Sequence, residues 1–540
     1  NLATAYSTVG ETKKAITKLT KSIELYPLSP LANLNLGNIL QEVEHFDRAE
    51  LFLKKAAILF PSGPHAFYSL GQISSKLADY KSAELFLSHA IIIEPDNFLY
   101  ANSLAALFPL VPSSIAAIDT SRRKYKHNIE VLLNREQLEK VDPKGHNYGG
   151  YYLAYHNQNN LSLLKMRSEL TRKSYLGTDF VAPHISNWSN PKSRKIKVGF
   201  LSEFFITTHT MGKTYKGLIR ELNRSIFEVI LIRAPGKHNL MLEREINAYA
   251  DLVVPLTKDF HEQLNTISSL ALDILFYPDI GMSNYTYYSA HARLAPVQMV
   301  STGHPETTGI DTIDYFLSSS LIEPKNADKL YSETLINFNY LPCFYDTPTL
   351  PTHRMSRDTF GLSESDRLYG ILQSLFKFHP DFDEVLVQII ERDPKARFVL
   401  LEDNYKSLIN LLKCRWENYD KRLIDRSIFL PRLPWSKFMT LTTCLDISLD
   451  PIYFGSGNTL YEASACGIPT VTFPGQFSRG RWVFGAYKQM GITNPPIAET
   501  LNDYASLAIE LGQNGDWLHT IKEEINDSSK NLLFSDRKFL

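Results

Sequence analysis

A 34-residue period in the first hundred residues constrains this chain more than any other feature. Leu36-Gly37 recurs as Leu70-Gly71, Phe46 as Tyr80 and Ala49 as Ala83. Phe52-Leu53 recurs as Phe86-Leu87, Ala56 as Ala90 and Pro61 as Pro95. Stepping back by the same interval gives Ala15, Leu19 and Pro27, a further copy whose first helix is cut short by residue 1. Small residues (Gly37, Ala49, Ala56) let two helices approach closely. Bulky ones (Phe46, Phe52, Leu53) supply the buried stripe, and the proline ends the second helix. A fourth copy starts at Ser103-Leu104 and decays at Pro109 and Pro112. Stacked helix pairs of this kind present a groove along their length, suited to holding a polypeptide. The alternative is that the repeats only buttress the domain after them.

The pattern resembles tetratricopeptide repeats, which makes residues 1–108 an α-solenoid with a truncated first unit. Residues 109–192 read as a helical connector ending in a polar linker, Pro183 to Pro191. From Lys195 the pattern turns to short apolar runs: Lys195–Ser202, Phe227–Ile232, Asp251–Leu256, Asp273–Tyr277, Val297–Ser301 and Asp314–Ser318. A second series lies at Leu368–Gln373, Arg397–Leu401, Ser427–Leu430, Leu445–Leu449 and Thr470–Phe473. Near-continuous apolar strands spaced by helix-length stretches predict parallel sheets covered on both faces. The segment Cys343–Phe360, rich in Pro, Thr and Asp, reads as the linker between them. The expected fold class is therefore an α-solenoid followed by two doubly wound α/β (Rossmann-like) domains, 193–345 and 346–540. Such a tandem sets a crevice between the carboxyl ends of two sheets, as in nucleotide-sugar transferases of GT-B type.

Composition narrows the function. Lys and Arg number 57 against 58 Asp and Glu, which excludes a coat for polyanions. The four cysteines (Cys343, Cys414, Cys444, Cys466) form no CxxC pair, so neither a disulfide framework nor a zinc site is expected, and a reducing compartment fits. No apolar run is long enough to span a bilayer and no leader follows Asn1, so a cytoplasmic protein is expected.

The stretch most charged with chemistry runs from Leu449 through Asp450-Pro451 and the Gly455-Ser456-Gly457 turn to Asn458-Thr459 and Glu462. A strand feeding a glycine turn and then a helix leaves unpaired N–H groups and a helix dipole aimed at a pyrophosphate. Glu462, one turn in, is placed to accept from ribose hydroxyls; the plain alternative is a glycine hinge with a first-turn carboxylate. Asp381-Phe-Asp383 has the spacing that holds a divalent ion in other transferases, but after Pro380 it reads as a helix start, and no metal site is expected.

Five blocks in this order resemble the catalytic region of the O-linked N-acetylglucosamine transferase family, including its bacterial repeat-bearing members. They are Val198-Gly-Phe-Leu-Ser with His209, Ala295-Pro-Val-Gln, Gly303-His-Pro-Glu-Thr-Thr-Gly, Gln373-Ser-Leu-Phe-Lys-Phe-His-Pro, and Phe454 through Arg481. The likeness covers roughly residues 195 to 495. It implies that Lys377 binds the donor diphosphate and offsets the charge of the leaving group. It implies a phosphate loop at Ser456, Gly457, Asn458 and Thr459, where the animal enzymes carry His-Thr-Thr in place of Gly-Asn-Thr, with Gln373 and Gly455 as further donor-binding residues. Glu462 falls at a ribose-binding aspartate, Leu433 at a uracil-reading backbone position, and Phe438 replaces a histidine and can stack on a base. His209 aligns with a histidine on the sugar-bearing face that takes the acceptor proton or orients the sugar. Asp279 and His304 are further candidate bases or loop caps, and Arg481 either touches phosphate or braces the Gly475–Gly480 loop.

The resemblance implies an inverting, metal-independent transferase with no cofactor, moving a sugar (GlcNAc favoured) from a UDP-sugar to Ser or Thr of a protein held by the repeats. A hexose transfer to Asn, or a catalytically silent repeat scaffold, are the rivals. The partners expected are a UDP-sugar and a polypeptide, with no nucleic acid. The family's late helix that crosses back is expected to be missing after Phe539-Leu540.

Overall fold

The computed structural model describes residues 6, 11–138, 140–143, 146–235, 240–352, 355–403 and 406–534. The expectations about a truncated first repeat and a missing late helix fall at the chain ends, outside the described residues. The chain divides into two compact units, residues 1–110 with 119–139, and residues 111–118 with 140–540.

In the first unit the period becomes geometry. Helices α1 (Thr12–Leu25), α2 (Pro30–Glu42), α3 (Phe46–Leu59), α4 (Pro64–Lys76), α5 (Tyr80–Ile93) and α6 (Phe98–Ala105) begin alternately at positions one repeat apart. Pro30 and Pro64 open α2 and α4, where a missing N–H costs nothing. Leu36, Ala49, Leu53 and Ala56 are buried, and so are Leu70, Ala83, Leu87 and Ala90 one repeat later; Phe52 is only half-buried. A Cβ on Gly37 would sit 2.6 Å from Leu53 Cγ, and one on Gly71 would sit 2.7 Å from Leu87 Cγ. The paired helices touch where the side chain is absent. The fourth copy has a short first helix, α6, and after Pro109 and Pro112 a helix at Ile115–Leu133. The Arg135 guanidinium ties onto the end of the repeats, donating to the carbonyls of Pro95 (3.0 Å) and Asp96 (3.2 Å).

The second unit holds two all-parallel sheets. Strands β1 (Ile196–Ser202), β2 (Phe227–Arg233), β3 (Leu252–Pro255), β4 (Ile274–Tyr277), β5 (Val297–Ser301), β6 (Tyr315–Ser319) and β7 (Thr334–Phe338) form a seven-stranded sheet ordered β3-β2-β1-β4-β5-β6-β7. Strands β8 (Arg367–Ile371), β9 (Ala396–Leu401), β10 (Ser427–Leu430), β11 (Ile447–Leu449) and β12 (Thr470–Val471) form a five-stranded one ordered β10-β9-β8-β11-β12. The order reverses between β1 and β4 in one sheet and between β8 and β11 in the other. Those are the points where loops diverge and a ligand crevice opens. All eleven expected strands are present. The edge strand β7 was not expected: its Thr334 and Asn337 face solvent and break the apolar run.

The connector has a helix at Ile115–Leu133, a 3-10 turn at Tyr151–His156, a helix at Leu161–Ser174 and a second 3-10 turn at Pro183–Asn187. Among the described residues no helix is long and apolar enough to cross a membrane.

Candidate functional site

Strand β11 leads into Asp450, whose buried carboxylate organises the glycine turn. Its Oδ1 accepts from the Ser456 N–H (2.6 Å) and its Oδ2 from the Thr472 hydroxyl (2.7 Å). The helix Asn458–Ala465 starts beyond Gly457 with no side-chain cap on its N–H groups, and nothing crowds Gly457. Strand β8 delivers the other half. Gln373 donates through Nε2 to the hydroxyls of Ser456 (2.9 Å) and Thr459, while its Oε1 accepts from Lys377 Nζ (2.8 Å). Lys377 also donates to the Gly455 carbonyl (2.9 Å) and lies 5.0 Å from the centre of the Phe454 ring. Its partners are neutral oxygens. Burial lowers the Lys377 pKa to about 8, although Asp450 acts in the opposite direction. A buried ammonium without a carboxylate partner, beside an uncapped helix start, is built for an anion.

This loop pair lines a cavity of about 930 Å³ at the two switch points. Gln373, Lys377, Gly455, Gly457, Asn458, Thr459 and Glu462 are on its wall, with Leu433 and Phe438 beyond. Ser456 stands just behind, 2% exposed. Glu462 is buried, which raises its pKa, while Lys213 and Asn458 pull it back. Lys213 reaches across from the helix Thr210–Glu221. Its Nζ is 3.0 Å from Glu462 Oε1 and 3.9 Å above the centre of the Trp435 ring. Trp435 and Phe438 stack at 6.1 Å, an aromatic surface suited to a base.

On the seven-stranded side the three expected bases separate. His304 lines the cavity. Asp279 lies below it, fully buried, and burial lifts its pKa to about 7 while the Ser202 hydroxyl donates to Oδ2 at 2.7 Å. His209 is the N-cap of the helix Thr210–Glu221: its Nδ1 accepts from the Met211 N–H (3.2 Å), and its ring stacks on Phe204 at 4.4 Å. Burial, then Lys213, lower its pKa to about 4. The neutral ring therefore carries its proton on Nε2, and the nitrogen with a lone pair is already bonded. His209 is set to donate a hydrogen bond rather than to take a proton. Arg481 is placed off the cavity wall. Its guanidinium donates to the carbonyls of Ile322 (2.8 Å), Gly475 (3.1 Å) and Pro474 (3.3 Å), the bracing alternative rather than the phosphate one.

The two aspartates of the Asp-x-Asp stretch have separate partners: Asp383 pairs with Arg415 and Trp416, and Asp381 accepts from Tyr453. Both lie in the first turn of the helix Pro380–Arg392, as expected for a helix start.

Residues 348–540 match the model of glycosyl transferase family 41, and residues 64–97 match a tetratricopeptide repeat. This carboxyl-terminal part of the chain is similar to family 41 glycosyltransferases. The matched segment contains Gln373, Lys377, the glycine turn, Glu462 and the aromatic wall, whereas Lys213, His209, Asp279 and His304 precede it. The chain is 25% identical over 269 residues to the UDP-glucose:protein N-beta-glucosyltransferase of Actinobacillus pleuropneumoniae serotype 5b (strain L20), covering 48% of this chain and 42% of that protein. It is 24% identical over 403 residues to the probable UDP-N-acetylglucosamine--peptide N-acetylglucosaminyltransferase SPINDLY of Arabidopsis thaliana, covering 72% and 43%. The chain thus spans less than half the length of these relatives. A Thermobaculum terrenum O-GlcNAc transferase structure shares the fold with a TM-score of 0.68 at 18% identity, covering 99% of this chain and 93% of that one. Repeats followed by a GT-B-type pair, the expected architecture of the O-GlcNAc transferase-like family, is the architecture here.

Several residues around the cavity are not apparent from the sequence. Lys213 follows His209 by one helical turn, and Trp435 precedes Phe438 by three positions, so both share a helix face with a residue that the sequence singles out. Tyr151 and Tyr155 come from the connector: Tyr151 stacks on His304 (4.9 Å) and Tyr155 on Phe454 (4.4 Å). The dense tyrosine run Tyr151-Tyr152-Leu-Ala-Tyr155 is the one signal that could have found them.

Proposed function

We propose that the chain is a UDP-sugar-dependent glycosyltransferase acting on protein, inverting and independent of metal. The observation that carries this reading is Lys377, a buried cation held by neutral oxygens beside the uncapped start of the helix Asn458–Ala465. A diphosphate supplies the missing anion, and Lys377, Gln373 and Thr459 stabilise it as it departs. Glu462 takes the ribose, while Leu433, Trp435 and Phe438 take the base. The acceptor oxygen attacks the anomeric carbon in line as the bond to UDP breaks, and UDP leaves with the electron pair. The favoured acceptor is a Ser or Thr of a polypeptide held by the repeats, with GlcNAc as the favoured sugar. The second reading, hexose transfer to Asn, is favoured by the likeness to the Actinobacillus N-glucosyltransferase.

The test is UDP release from UDP-GlcNAc and UDP-glucose by the unaltered chain and by Lys377→Ala. A loss of about 100-fold or more is expected, the scale of removing a donor aimed at developing charge. Equal release by both proteins overturns the reading, and no release by either favours the silent scaffold. Mass spectrometry of a modified protein separates Ser or Thr from Asn.

A further inference from the structure

We infer that Glu306 is a positioning residue that holds His304 as the base of the transfer, an assignment that rests on the glycosyltransferase reading of the site. His304 follows strand β5 on a loop that Gly303 allows to close: a Cβ on Gly303 would lie 2.0 Å from the Pro278 carbonyl oxygen. The imidazole is 5% exposed, stacks on Tyr151 and lines the cavity. Its Nε2 is turned inward and lies 3.3 Å from Glu306 Oε1; the contact is not aligned as a hydrogen bond, and among the described residues neither atom has a hydrogen-bond partner.

Glu306 is itself fixed from behind. Its Oε2 accepts from Asn160 Nδ2 (2.6 Å) and lies 3.6 Å from Arg479 Nη1. Arg479 in turn donates to the Gln158 carbonyl (2.8 Å) and lies 4.0 Å from the centre of the Phe477 ring. Burial alone would raise the Glu306 pKa, but His304, Arg479 and Asn160 together hold it below its ordinary value. The charged and titratable groups facing this imidazole are thus Glu306, with Arg479 behind it, and the phenols of Tyr151 and Tyr155. Burial raises both phenols, so they stay neutral.

A carboxylate opposite Nε2 selects the tautomer with the proton on Nε2, as the carboxylate of a catalytic triad does for its histidine. That leaves the Nδ1 lone pair for the cavity that His304 lines. His209 has the opposite arrangement, its lone pair spent on a helix cap. In the step, the acceptor O–H proton passes to His304 Nδ1 as the new C–O bond forms and the bond to UDP breaks. The imidazolium, paired with Glu306, later returns the proton to solvent. Apo geometry of 3.3 Å is within the range that closes when substrate packs against such a site.

The experiment follows UDP release from UDP-GlcNAc and UDP-glucose, with water as acceptor. In Glu306→Gln, kcat falls about 10- to 100-fold, while KM and UDP affinity by calorimetry stay within about twofold. Glu306→Asp restores part of the rate, and His304→Asn loses at least as much as Glu306→Gln. An unchanged kcat in Glu306→Gln or in His304→Asn overturns the assignment. Should Glu306→Gln fail to fold for want of a partner to Arg479, nitrogen NMR of histidine-labelled unaltered protein decides. A proton on His304 Nε2 is expected, and one on Nδ1 overturns the assignment. Equal UDP release by Lys377→Ala and the unaltered chain counts against the glycosyltransferase reading itself, whereas the separation of kcat from UDP affinity and the tautomer bear on Glu306 and His304 alone.

Discussion

Lys377 shows how one residue can be both a liability and a tool. Folded, its pKa is lowered from 10.5 to about 8. Between those values the folded chain binds fewer protons than the unfolded one, so this group's contribution to stability rises with pH across that window. Below about pH 8 the ammonium is kept at a cost. A bound diphosphate reverses the balance by giving the charge a partner. UDP affinity is therefore expected to fall by up to about tenfold per pH unit above pH 8, with proton uptake on binding. Calorimetry in two buffers of different ionisation enthalpy reads both quantities; constant affinity from pH 7 to 9.5 removes Lys377 from the donor site. The residue was legible because it sits in a block with a recognisable neighbourhood. Lys213 was not, because its partner Glu462 is 249 residues away and nothing local announces the meeting.

Among the elements, the repeat helices were the most legible and the connector's 3-10 turn Tyr151–His156 the least. A fixed period reports packing that recurs, so Gly37 and Gly71 announce the same contact twice. Gly37→Ala is expected to destabilise the chain by about 1–3 kcal/mol, because the new Cβ collides with Leu53. This outweighs the helix-propensity gain of about 1 kcal/mol. Urea unfolding followed by circular dichroism measures the change, and Gly71→Ala should match it; stabilisation at either position contradicts the packing. Strand β7 was missed for the converse reason: an edge strand is only half covered and keeps polar residues that dilute its pattern. The turn Tyr151–His156 carries no period at all. Its tyrosines make sense only once His304 and Phe454 have been brought beside them by two different sheets.

Across the second unit, Lys213 and Glu462 join the seven-stranded and five-stranded halves over the cavity. The pair is well shielded, with side chains 18% and 3% exposed. Removing one member leaves the other without a counter-charge, so Lys213→Ala is expected to cost about 3 kcal/mol of stability. The loss should deepen as pH rises above 4.5, since a carboxyl whose folded pKa is raised is most favourable to the fold when protonated. Adding Glu462→Gln should recover most of the loss; a double variant no more stable than Lys213→Ala would show that the pair is not the cause. The doubling of the sheet was legible as two series of apolar runs, but the meeting of their switch points was not, since strand order is a property of the folded sheet.

That doubling gives each wall of the cavity its own hydrophobic core: Val198, Phe200 and Phe276 on one side, Leu368, Val399 and Leu441 on the other. Drift in one core need not be compensated in the other. On the proposed glycosyltransferase reading, preference for the nucleotide and preference for the acceptor are then two traits written on separate cores, free to be inherited, exchanged or redesigned one at a time.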